Sequence, residues 1–115
     1  MKRLCAILFL VFSWSTTVAD LAGDCQRPQR PSIPDGDTAT KAELLDAKTA
    51  LEQYLTDGDR YLVCMREFEE SLGAQITEID GHGLLAKYKG MVNEMYLAGD
   101  EFNVALRRFR NRQDD

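Results

Sequence analysis

The sequence predicts an all-α protein: an antiparallel, coiled-coil-like two-helix hairpin, with an extended proline-rich N-terminal segment stapled to the first helix by a disulfide. Three observations lead there. Two long stretches carry apolar residues at steps of three and four, with no proline inside either. A glycine cluster, Gly81-His82-Gly83, separates them. Two cysteines, Cys25 and Cys64, remain once a leader is set aside.

The leader is read from residues 1–19. Lys2 and Arg3 form a basic start, an apolar run spans Leu4 to Trp14, and Thr17-Val18-Ala19 supplies the small residues a signal peptidase reads. The apolar run is too short to span a bilayer. Cleavage is expected after Ala19, with an uncleaved anchor as the alternative. Asp24 stands between Gly23 and Cys25, so no lipid-attachment site forms. Loss of the leader removes two cations and no acid, taking the net charge from −5 to −7. Such a charge disfavours nucleic acid as a partner, since phosphate binding draws on clustered Lys and Arg. No stable membrane insertion is expected after cleavage. Export places the chain in an oxidising compartment, where Cys25 and Cys64 read as one disulfide; a pair of free thiols is the alternative.

Residues 20–39 read as extended. Pro28, Pro31 and Pro34 recur every third residue, the period of polyproline II, so their rings share one edge. Asp35-Gly36-Asp37 is a turn signal. The helical hairpin domain is placed at residues 40–112. Thr40 with Glu43 forms a capping box that starts the first helix. Its seam runs Leu44, Ala47, Leu51, Tyr54, Gly58, Tyr61, Met65, Phe68, Leu72 and on to Ile79, with Leu55 and Leu62 widening it. Gly73 is a possible earlier stop, but the Gly81–Gly83 cluster is the stronger breaker. The second seam runs Leu84, Tyr88, Met91, Met95, Ala98, Phe102, Ala105 and Phe109, flanked by Leu85, Val92, Gly99 and Leu106.

A turn centred on Gly81 and His82 pairs Met65 with Ala98, Tyr61 with Phe102, Gly58 with Ala105 and Tyr54 with Phe109. Every second-seam position then lands on the first seam. The disulfide fits this plan. Thr40 to Cys64 is roughly 36 Å of helix, and Cys25 to Thr40 reaches up to about 46 Å if extended. The proline segment can therefore fold back along the first helix, with Leu55 and Leu62 as its expected apolar floor.

The lead Cys25-x-x-Pro28-x-x-Pro31-x-Ile33-Pro34-Asp35-Gly36, the Ala39-Thr40 helix start, Tyr61-Leu62-x-Cys64 and the late Phe102-Asn103 pair together resemble a family of small exported helical proteins of Gram-negative bacteria. Members tend to carry a Tyr-Asn pair early in the second helix, where this chain has Tyr88-Lys89. The resemblance implies a periplasmic, helical, disulfide-tied protein, and it brings no catalytic residues with it.

The residues themselves point to no catalytic, cofactor-binding or metal-ligating set. His82 is the only histidine and reads as a turn residue, whereas zinc or copper sites gather three or four N/S donors. Asp57, Asp59, Glu67, Glu69 and Glu70 read as a solvated acidic face, with no glycine-containing loop of alternating calcium ligands. Ser32 and Ser71 have no histidine in any nucleophile motif. The aromatic line Tyr54, Tyr61, Phe68, Phe102 and Phe109 reads as core. Arg107, Arg108, Arg110 and Arg112 complement the helix dipole. The expected function is therefore non-enzymatic: a periplasmic protein acting by protein–protein interaction as an adaptor, inhibitor or chaperone-like hairpin. The partner is an unknown protein or a second copy. The alternative is a homo-oligomeric structural protein of the cell envelope, suggested by the leftover apolar area of Leu55, Leu62, Leu85, Val92 and Leu106.

Overall fold

The structure, a computed structural model, describes residues 24–113. The expected leader, residues 1–19, lies outside the described residues. Two helices pack along their length, α1 over Lys41–Leu72 and α2 over Glu78–Gln113, joined by a short 3-10 turn at Gly73–Gln75. No strand occurs among the described residues. The hairpin and its disulfide-tied extended lead are as the sequence predicts.

The start of α1 follows from its capping box. The Glu43 backbone N–H donates to the Thr40 hydroxyl at 3.1 Å, and the Thr40 N–H donates to the Glu43 carboxylate at 2.9 Å. The stop does not follow the expectation. α1 ends at Leu72, and Gly73 takes φ +50°, a backbone conformation cheap only for glycine. α2 then begins before the Gly81–Gly83 cluster, which lies inside its first two turns. A second threonine cap explains this: the Asp80 N–H donates to the Thr77 hydroxyl at 3.1 Å, and the Gly81 N–H donates to the Thr77 carbonyl at 2.9 Å. Glu78 and Asp80 add negative charge where the helix dipole is positive. His82 is thus a helical residue, 3.8 Å from Glu78 one turn earlier, and not a turn residue.

The earlier turn slips the expected register. Gly58 meets Met91 and Met95 rather than Ala105, and Met65 lies with Leu84 rather than Ala98. The slip is fourteen positions, two heptads, so seam still meets seam and only the partners change. Tyr54, Tyr61, Met65, Leu84, Met91 and Ala98 are buried in one core cluster. A second, smaller cluster joins Ala39, Leu44 and Ala105, with Ile33, Phe102 and Phe109 packed on it. Phe102 is half-buried and reaches both clusters, instead of facing Tyr61 from a fully buried site.

Candidate functional site

A two-helix layer has two broad faces, and in this chain they differ. One is closed by the extended segment, residues 25–39, here termed the strap. Cys25 and Cys64 are bonded with Cα atoms 5.7 Å apart, which fixes the strap to α1. Beyond the disulfide the strap is tied to α2. Arg27 pairs with Glu94 at 2.8 Å, and Arg30 pairs with Glu101. The spacing has a physical reason. Three polyproline residues advance about 9.3 Å, and seven helical residues advance about 10.5 Å. A basic residue every third strap position therefore keeps step with an acid every second turn of α2.

The far end of the strap is held by the arginines of the last turns of α2. Arg112 donates to the Asp37 carbonyl at 2.6 Å and also to the Ala39 carbonyl, with its guanidinium over the Phe109 ring at 5.3 Å. Arg108 lies 3.8 Å from Asp35 and 4.0 Å from Asp37. So Arg108 and Arg112 do more than complement the dipole: they clasp the Asp35–Ala39 turn. Gly36 is seated so closely on α2 that an added Cβ would stand 1.9 Å from the Ala105 carbonyl oxygen.

Two ionisable groups report on this face. Hydrogen bonding to Glu94 holds the Arg27 guanidinium further above its already high value. Burial pushes the Tyr54 phenol up, Glu94 pushes the same way, and Arg27 and Arg30 oppose it. The Tyr54 hydroxyl is buried with no hydrogen-bond partner among the described residues.

The floor of the strap is not Leu55 and Leu62. Residues 24–28 lie over Asp57, Arg60, Tyr61 and Cys64, and Ser32 and Pro34 lie over Asp46, Ala47 and Ala50. At 100° per residue, Leu55 and Leu62 project from the opposite side of α1 from Asp57 and Cys64. They belong to the second, open face, where Leu62 is buried and Leu55 half-buried.

On the α2 half of that open face, Leu85 is 50% exposed, Val92 44% and Tyr96 78%. The face deepens near the hairpin tip into an open groove of about 460 Å³. Met65, Leu84, Leu85 and Tyr88 supply its apolar lining, with Arg66, Glu69 and His82 at its edge. Among the described residues no three or more His, Cys, Asp or Glu side chains gather as a metal site. No described helix is long and apolar enough to cross a membrane. The sequence points to the disulfide and to the core. It does not single out Arg27, Arg30, Glu94 and Glu101, although their three-against-seven spacing is the signal that joins them. No family model, no curated protein and no solved structure matches this chain.

Proposed function

We propose that this chain is an exported, non-enzymatic periplasmic protein that acts by protein–protein contact, as an adaptor, inhibitor or chaperone-like hairpin. The basic–apolar–small opening of residues 1–19 supports export. The Cys25–Cys64 bond supports an oxidising compartment. The observation that carries the reading is the asymmetry of the two faces. One face is closed by a strap held at three points, while the other leaves Leu85, Val92 and Tyr96 exposed beside an apolar groove. Contiguous exposed apolar surface on a small soluble domain marks a contact site.

The test is a photo-crosslinking residue at Tyr96, compared with one at Thr56 on the side of α1 away from α2, in cells exporting the protein. Discrete adducts from position 96 and none from position 56 are expected. Adducts from neither position, or equally from both, would overturn the contact reading.

A further inference from the structure

Resting on that reading of the open face, we propose that its partner is a second copy of this chain, packed face to face about a twofold axis that crosses the hairpin at Gly58–Asp59 and at Gly90–Met91. The ridge of α1 on this face reads Lys48, Glu52, Leu55, Asp59, Leu62, Arg66 and Glu69, in steps of four and three. Reversed, this pattern is complementary to itself. An antiparallel copy sets Lys48 against Glu69, Glu52 against Arg66, and Leu55 against Leu62. Arg66 and Glu69 carry no ion pair among the described residues, and Lys48 reaches Glu52 only at 3.9 Å. The charges that would meet a partner are thus largely unspent within the monomer.

The α2 half gives the same axis independently. On the open side of α2 the exposed apolar residues are Leu85, Val92 and Tyr96, with Lys89 between them on the same stripe, while Leu97 projects to the strap side. Antiparallel packing about Gly90–Met91 lays Leu85 on the partner copy's Tyr96 and brings Val92 close to its own equivalent. Gly58 and Met91 are in contact across the monomer, so the centre of the α1 pattern and the centre of the α2 stripe lie at one level. A single axis therefore satisfies both helices, as an isologous interface requires. Asp59 on α1 and Lys89 on α2, both near the axis, meet their own copies with like charge.

The size is also adequate. Lys48 to Glu69 spans about 32 Å of helix, and two adjacent helices present roughly 20 Å of width. The projected face is about 600 Å², of the order of the ~800 Å² per partner in standard interfaces. The assembly is a four-helix layer pair with each strap on the outside, so the straps and the dimer contact do not compete.

The test is sedimentation of the purified, oxidised protein, with a charge-swap series. The parent chain should be dimeric at tens of micromolar. Glu52→Arg, which sets Arg against Arg66, should raise the dissociation constant about tenfold or more, and Arg66→Glu should do the same. The double swap Glu52→Arg with Arg66→Glu should return it to within about threefold of the parent. Val92→Asp should give a monomer with unchanged helix content by circular dichroism. A parent chain monomeric up to about 1 mM, or a dimer indifferent to Val92→Asp and to the single swaps, would overturn the proposal. Adducts from position 96 whose mass shows a different protein, with a monomeric parent, would overturn the second copy while leaving the contact reading standing.

Discussion

Gly36→Ala tests the seat of the strap through a single added methyl group. That methyl would stand 1.9 Å from the Ala105 carbonyl oxygen, 2.7 Å from its carbonyl carbon and 2.9 Å from its Cα. All three are backbone atoms of α2, so no rotamer change can relieve the overlap. The Asp35–Ala39 turn has to lift by roughly 1.5 Å to restore ordinary contact distance. Lifting it strains both Arg112 hydrogen bonds and loosens Ala39 from Leu44 and Ala105. Overpacking costs about 1–3 kcal/mol, and a clash with backbone belongs at the upper end. We expect a loss of about 3 kcal/mol, or roughly 12 °C or more in Tm for a domain of this size. The assay is urea and thermal denaturation followed by circular dichroism. Two other glycines supply internal controls. At Gly90 an added Cβ meets nothing within 4 Å, so Gly90→Ala should stabilise by about 0.5–1 kcal/mol through helix propensity. At Gly58 the nearest atoms are Met95 Sδ at 2.7 Å and Met91 Cε at 3.0 Å, in adaptable side chains rather than backbone, so gain and overlap should nearly cancel. A loss below about 1 kcal/mol at Gly36, or equal damage at Gly36 and Gly90, would show that the turn is not seated on α2.

Cys64→Ser removes a closure across a sequence separation of 39 residues and should cost about 2–4 kcal/mol by the chain-entropy argument, read by denaturation, while a non-reducing peptide map of the parent shows the Cys25–Cys64 cross-link. Tyr54→Phe deletes a buried, unpartnered hydroxyl, so it should be neutral or stabilising by up to about 1 kcal/mol; a loss above that would show an unrecognised hydrogen bond. The same phenol is raised in the folded chain, so its contribution is complete below the unfolded value of about 10 and is lost as pH climbs through the folded value. Denaturation of the parent between pH 9 and 11 should therefore fall more steeply than that of Tyr54→Phe, and parallel curves would contradict the assignment. A double-mutant cycle on Arg27 and Glu94 should return no more than about 1 kcal/mol, shrinking in high salt, because both side chains are about 40% exposed.

The hairpin was legible because a seven-residue apolar repeat needs only local sequence to announce itself. The Thr40–Glu43 capping box likewise marks its helix start within four residues. The register was less legible for the same reason: a strict heptad is unchanged by a slip of two heptads, so Gly58 fits Ala105 on paper as well as it fits Met91. What breaks the tie is end chemistry. Gly73 can adopt φ +50°, and Thr77 caps α2 ahead of Gly81. Glycine counts alone favour Gly81–Gly83 and so place the turn too late. The disulfide is readable from the cysteine count, and the extended course of the strap from its proline period. Its lateral position is not. That position depends on Arg27 and Arg30 finding acids more than sixty residues away, and on a close approach at Gly36 that no local pattern encodes.

The strap closes one face of the hairpin, and the proposed contact face is the other. Backbone ¹⁵N relaxation on the oxidised protein, at the amides of Arg27, Gln29, Arg30, Ser32 and Ile33, reads whether the strap is part of the fold. Order parameters of about 0.85, equal to those within α1 and α2, are expected. Values below about 0.6 across these residues would instead show a tether free beyond Cys25 and a hairpin with neither face closed.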